Sequence, residues 1–349
     1  MGSEGTRCIT GAMIAGQFVE VGGDTLMKAA SKDGMSIFVF NFYSNLLALS
    51  FLVPSTFLYH RKRAPPPIST SILCRLFLIS CLSTTVQTLM NTGIRYSSPS
   101  LASAMVDLVP AFTFIFAVIS RMENLNLKHH ISQAKVIGTM VSIAGALIVT
   151  LYKGKSLIGD AFKSTEMRAS GIYLLDKSEW ILGAFLLATA SITLSLLFIV
   201  QTWTIKDYPE ELVVTTICCF FVVIQTAIVA LIVEGISKAW TLKADMELVS
   251  VLYSAIFVVA MRSVVYTWAF RKKGPIYVAM FNPLKVAIAF GMGVIFLRDN
   301  LYLGSMIGAA IIAIGFYVVM WAQAQEEHTS ENHLPPSSAP LLSTKSDYI

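Results

Sequence analysis

Glu20, Asp24 and Lys28 stand four residues apart in the stretch "GQFVEVGGDTLMKAA". That spacing places them on one face of a helix. Two acids beside a base can hold a proton, bind an ammonium group, or neutralise one another. Gln87, Asn91 and Arg95 repeat the spacing further on, while Asn41, Asn45, Asp107, Gln201, Gln225 and Asn282 are isolated polar residues in apolar segments. Arg262 and Lys285, in similarly apolar surroundings, are the complementary cations, with chemistry suited to a carboxylate. An ionisable group near the centre of a bilayer costs roughly 2.5–3.5 kcal/mol, so each of these needs a reason if its segment crosses a membrane.

Composition places the segments in a membrane. The 349 residues are 55% hydrophobic and 13% charged, against roughly 25% charged in soluble domains. The apolar residues fall into ten runs: approximately 9–29, 36–58, 72–94, 101–121, 131–151, 180–202, 211–234, 248–270, 276–297 and 302–322. Each has about the 20 residues that a helix needs to cross the hydrocarbon core. Breaks such as "KDG", "HRKRAPPP", "KDYPEE" and "RKKGP" separate them. The fold expected is therefore an all-α integral membrane protein with ten transmembrane helices.

Enzyme chemistry finds no support. All five histidines lie in loops or the tail, and no G-x-S-x-G, H-E-x-x-H or P-loop pattern occurs. The five cysteines lack disulfide or metal spacing, so no metal or cofactor is expected. The net charge of +5 suits basic loops at a membrane and does not point to nucleic acid. With the N-terminus inside, the inner segments carry thirteen Lys and Arg and the short outer loops six, which predicts that both termini are cytosolic. The membrane itself, plasma or vacuolar, is left open.

The chain also repeats itself. "SPSLASAMVDLVPAFTFIFAVISRMENLNL" (98–127) matches "GPIYVAMFNPLKVAIAFGMGVIFLRDNLYL" (274–303) at an offset of 176 residues: Pro99 with Pro275, and Glu123-Asn124-Leu125 with Asp299-Asn300-Leu301. Glycines seven apart follow in each, Gly138/Gly145 and Gly308/Gly315. Five spans per copy is an odd number, so the copies enter the membrane from opposite sides, as in secondary transporters that bind substrate between rocking halves. The division expected is a cytosolic N-terminus over 1–8, a first repeat over 9–151, a linker over 152–179, a second repeat over 180–322, and a disordered cytosolic tail over 323–349.

Five stretches carry a family resemblance: "LMKAASKDGMSIFVFNFY", "GIRYSSPSLASAMVDLVPAFTFIFAVISRMENLNLK", "AKVIGTMVSIAGALIVTLYKG", "QTWTIKDYPEELVVTT" and "FNPLKVAIAFGMGVIFLRDNLYLGSMIGA". From about residue 8 to 323 the chain resembles the plant nodulin-21-like, or walls-are-thin-related, proteins of the drug/metabolite transporter superfamily, which carry two EamA-type domains. The resemblance implies a ten-helix carrier of small organic solutes; some relatives move amino acids in either direction and others export auxin. Two departures keep the substrate open. Tyr43 is followed by Ser44 and Asn45 where the family commonly has Arg, and Lys285 stands where it commonly has a small polar residue.

Within that frame Glu20, Asp24, Asn45, Gln87, Asn91, Asp107, Gln225, Arg262, Asn282 and Lys285 are the residues expected to line the cavity or bind substrate. Pro110 and Pro283 are expected to break equivalent helices. The first-repeat residues would line a mostly acidic outer chamber and Arg262 and Lys285 would lie toward the cytosolic half, the acids of the first half and the bases of the second flanking one central path. A zwitterion or carboxylate is the favoured ligand, with Glu20, Asp24 or Asp107 available to carry a coupling proton. The bland alternatives are an Asp24–Lys28 pair that lets Lys28 reach the surface, and a structural Arg–acid bridge at Arg262. A membrane receptor or scaffold without transport activity is the competing function.

Overall fold

The computed structural model describes residues 2–32, 34–61, 65–97, 99–122, 130–151, 156–158, 177–235, 240–241, 245–296 and 301–332. Its first helices are α1 (Gly2–Lys32), α2 (Ile37–His60) and α3 (Thr70–Tyr96). A broken span follows, made of α4 (Pro99–Val106) and α5 (Val109–Ile119), and then α6 (His130–Leu151). The second half runs through α7 (Lys177–Asp207) and α8 (Glu211–Glu234). Its next span joins α9 (Met246–Tyr253), a π-helical segment (Ser254–Met261) and α10 (Arg262–Lys273). The last two are α11 (Pro275–Ala279) with α12 (Phe281–Phe296), and α13 (Leu303–Asn332).

Six of these spans are long and apolar enough to cross a membrane, and three shorter apolar helices lie within 132–148, 275–289 and 306–322. The tenth is α1, whose 31 residues reach about 46 Å at 1.5 Å per residue. Apart from the helices, the described residues hold one short antiparallel ribbon, β1 (Ser156–Ile158) with β2 (Leu301–Tyr302). It ties the connection after α6 to the start of α13. The α13 helix continues past residue 322 through Asn332, where "AQAQEE" supplies good helix formers. Residues 333–349 of the expected tail, most of the linker, Glu123-Asn124-Leu125, Asp299-Asn300 and the side chain of Lys28 lie outside the described residues.

Packing between the halves is reciprocal. The first helix of the first half, α1, packs on α9, the π segment, α10 and α12 of the second half. The first helix of the second half, α7, packs chiefly on α3, α4 and α5 of the first. Likewise α2 meets α8, and α6 meets α13. Glycines permit the closest of these contacts. A Cβ on Gly315 would lie 2.5 Å from the Ser142 nitrogen and 2.7 Å from the Gly138 carbonyl oxygen; one on Gly145 would lie 2.9 Å from the Gly308 oxygen. The α6 and α13 backbones therefore touch directly, the close approach that small residues allow in membranes.

Both broken spans fail just ahead of their prolines. Pro110 and Pro283 sit in the first turns of α5 and α12, where a missing N–H costs no helical hydrogen bond. The interruptions fall at Asp107-Leu108 and at Met280.

Polar contacts identify the two ends of the bundle. At the end carrying the start of α1, the α7–α8 turn is held from three sides. Arg75 pairs with Asp207, His60 Nε2 lies 3.2 Å from Glu210, and Arg271 lies 2.7 Å from Glu211. Tyr208 donates to the Pro66 carbonyl at 3.0 Å. The "RKK" cluster (271–273) thus supplies an ion pair as well as a basic loop. At the opposite end Ser36 donates to Glu234 at 2.6 Å and Tyr43 to the Trp240 carbonyl at 2.8 Å.

Candidate functional site

One face of α1 carries Thr10, Met13, Gln17, Glu20 and Asp24, spaced by three, four or seven residues so that all point into the second half. Gly22 and Gly23 let this helix approach closely. A Cβ on Gly22 would lie 2.8 Å from the Tyr253 hydroxyl, and one on Gly23 would lie 2.5 Å from Val258 Cγ2.

The π-helical segment ends at Arg262, whose backbone N–H reaches back five residues to the Phe257 carbonyl. Such a widened turn leaves backbone oxygens off the regular ladder. The Arg262 Nε donates to the Val258 carbonyl at 3.0 Å, and its guanidinium carbon stands 4.9 Å from the centre of the Tyr266 ring. Lys285, one turn into α12, approaches from the other side.

These elements bring four charges together. Lys285 Nζ lies 2.8 Å from Glu20 Oε1 and 2.7 Å from Asp24 Oδ2, and Arg262 lies 3.4 Å from Glu20 Oε2. Tyr266 donates to Glu20 Oε2 at 3.3 Å and accepts from Gln17 Nε2 at 2.7 Å. Two acids and two bases sum to zero, so the cluster is neutral as a unit. Glu20 has two cationic partners and a tyrosine; Asp24 has Lys285.

The cluster is graded. Gln17 is fully buried, the Glu20 side chain is 17% exposed, and that of Asp24 is 45% exposed. Exposure thus rises toward the opposite end of the bundle. Toward the first end the way is filled by buried Tyr266, Phe270, Tyr277, Phe281 and Phe198, and Thr10 shares a 2.9 Å hydrogen bond with Tyr277.

The acids of the first half and the bases of the second, expected to flank one path, contact one another directly. Glu20 and Asp24 reach across the interface and pair with the cations, because a neutralised pair is far less costly in a low-dielectric interior than two lone charges. Asp24 contacts Lys285 directly, and the expected pair with Lys28 falls on a side chain outside the described residues. Arg262 forms the acid bridge that was its sober alternative.

The remaining candidates lie elsewhere. Gln87 and Asn91 line a narrow cleft with Phe38, Asn41, Thr88, Thr226 and Val229. Gln87 Oε1 and Asn91 Nδ2 have no partner among the described residues. Asn45 donates to the Asn41 carbonyl in its own helix at 2.7 Å. Gln225 donates to Cys81 Sγ at 3.3 Å, between α8 and α3. Asp107 is buried at the break between α4 and α5, and Asn282 stands beside Pro283 just after the break at Met280. The described residues hold no cluster of metal-ligating side chains.

Sequence reasoning missed Gln17, Tyr266 and Tyr253. Two of them had a signal: Gln17 precedes Glu20 by three residues and Tyr266 follows Arg262 by four, each one helical turn away.

Comparison with known proteins agrees with this architecture. The EamA-like transporter family matches the chain twice, over residues 9–151 and 181–321. WAT1-related protein At3g28050 of Arabidopsis thaliana is 44% identical over 339 residues, covering 95% of this chain and 90% of that relative. WAT1-related protein At5g40240 of the same plant is 39% identical, covering 95% and 91%. A protein of known crystal structure, 13% identical, shares the fold with a TM-score of 0.69 over 93% of this chain and 99% of its own. With two family matches and relatives of this identity along nearly its whole length, the chain belongs to the EamA-like transporter family, among the plant WAT1-related proteins, and is a multi-pass membrane solute transporter.

Proposed function

We propose that the chain is a secondary carrier of small organic zwitterions or carboxylates, amino acids and auxin-like acids among them, working by alternating access between its two halves. The observation that carries this reading is the charge cluster. Its acids come from α1 of one half and its bases from α10 and α12 of the other. A ligand bearing a carboxylate can take an acid's place on Lys285, and an ammonium group can take a base's place on Asp24. Binding there would loosen the joint between halves that must rock. The basic loops support a topology with both termini cytosolic, in the plasma or vacuolar membrane. In that topology the exposed side of the cluster faces outward.

The test is counterflow in proteoliposomes with amino acids and indole acids. Wild type should show saturable exchange, and Lys285→Glu and Arg262→Glu should change selectivity between anionic and zwitterionic solutes. Unchanged flux and affinity in both variants would refute the site. Absence of any saturable exchange would favour a receptor or scaffold.

A further inference from the structure

Resting on the carrier reading, we propose that the cluster sets the proton stoichiometry by the charge of its ligand: zwitterions cross without a proton, and monocarboxylates cross with one. The argument begins from the charge count. Glu20, Asp24, Arg262 and Lys285 form a neutral set in which every charge has an opposite partner within 3.4 Å. Of the two acids, Asp24 is the exchangeable one. It touches Lys285 and is nearly half exposed, whereas Glu20 is held by Lys285, Arg262 and Tyr266 together.

A ligand carboxylate therefore binds Lys285 Nζ in place of Asp24. This takes Lys285 from the Asp24 carboxylate and gives the occupied cluster a net charge of minus one within a membrane-spanning bundle, where an uncompensated charge is costly. A zwitterion cures the defect itself, because its ammonium group pairs with Asp24 Oδ2. The occupied cluster is again neutral and no proton is needed. A monocarboxylate brings no such group. Its binding is balanced only when Asp24 takes one proton from the water on its exposed side, so the anion and the proton are carried together and no net charge moves.

Among the described residues, the neighbouring titratable groups are already engaged. Arg262 and Lys285 are already the cations of the set. Tyr266 of α10 donates to Glu20, and Tyr253 of α9 donates to the Val19 carbonyl at 3.2 Å. On α2, Tyr43 is turned to the Trp240 carbonyl at 2.8 Å.

The experiment uses the full chain reconstituted in liposomes, with alanine and lactate as one matched pair and phenylalanine and phenyllactate as another. Each pair differs by exchange of an ammonium group for a hydroxyl. Initial uptake is read at external pH 7 and 6 after subtraction of leak into protein-free vesicles. Uptake of the hydroxy acids should rise about tenfold per unit of acidification, while amino acid uptake should hold within about twofold. In Asp24→Asn the hydroxy acids should lose this dependence and become sensitive to membrane potential, and the amino acids should bind more weakly. Saturable uptake of both members of a pair with the same pH response would overturn the inference and leave the carrier intact. An Asp24→Asn protein with unaltered proton dependence would overturn it too. No saturable uptake of any of the four would instead remove the carrier reading, and this inference with it.

Discussion

Exchanging Glu20 for glutamine preserves the shape of the side chain and removes its charge. Three contacts are affected: Lys285 at 2.8 Å, Arg262 at 3.4 Å and the Tyr266 hydroxyl at 3.3 Å. Lys285 keeps Asp24, and Arg262 keeps the Val258 carbonyl and the Tyr266 ring, but the cluster is left with one uncompensated positive charge. Removing one partner of a buried ion pair costs about 3–5 kcal/mol. The cations here are roughly a quarter exposed, at 26% and 27%, which argues for the lower figure, about 3 kcal/mol. Asp24→Asn breaks the pair with Lys285, on a side chain 45% exposed, so the exposed-pair range of about 0.2–1 kcal/mol applies. The two variants should then differ by about 2 kcal/mol, roughly thirtyfold in the folding equilibrium. Reversible unfolding in mixed detergent micelles measures this. Adding Lys285→Met to Glu20→Gln should cost less than the two single costs summed, because the second change removes a charge that the first left unpaired. A Glu20→Gln variant within about 0.5 kcal/mol of wild type, or an Asp24→Asn variant equally damaging, would refute the assignment of Glu20 as the anchor.

Gly315→Ala forces a Cβ to 2.5 Å from the Ser142 nitrogen, and neither backbone can rotate away; about 1–3 kcal/mol of stability should be lost in the same micelle assay. Tyr266→Phe removes the donor to Glu20 and the acceptor for Gln17, for a loss of about 1–3 kcal/mol, whereas Tyr253→Phe should cost less because it removes one 3.2 Å bond to a backbone carbonyl. Pro283→Ala should change stability by less than about 1 kcal/mol, since the proline occupies a first turn and breaks no helical bond. Burial, and secondarily the Glu210 carboxylate, push the Tyr208 hydroxyl above its ordinary value of 10.0. The folded chain thus holds this proton more tightly than the unfolded one, so stability should fall as pH rises past about 10, and Tyr208→Phe should flatten that slope in alkaline unfolding curves.

Much of this architecture was legible because its causes are local. Bilayer thickness imposes runs of about 20 apolar residues, and the spacing Gly138/Gly145 against Gly308/Gly315 marked a crossing where backbones touch. Glu20, Arg262 and Lys285 were each conspicuous as costly residues in apolar segments. Their pairing was not legible. It depends on α1 crossing into the other half, which joins residues 242 and 265 positions apart, and no local spacing encodes that choice. The same holds for the π-helical segment, whose sequence "SAIFVVAM" reads as an ordinary apolar span. The prolines were visible, but the breaks fall ahead of them at Leu108 and Met280, since proline fits the start of a new helix better than the middle of an old one.

The exchange of first helices also bears on how the chain is made. α1 leaves the ribosome first, yet Lys285, the cation nearest to Glu20, follows 265 residues later. At 5–20 residues per second the ribosome needs roughly 13 to 53 s to deliver it. For that interval Glu20 and Asp24 are in or beside the bilayer with neither Arg262 nor Lys285 yet made. Biogenesis must therefore shelter α1, by delaying its full release into lipid or by protonating its carboxyls, until the last third of the chain arrives. A truncation ending before Arg262 should leave α1 poorly retained, and the weakest step in producing this protein should be its beginning.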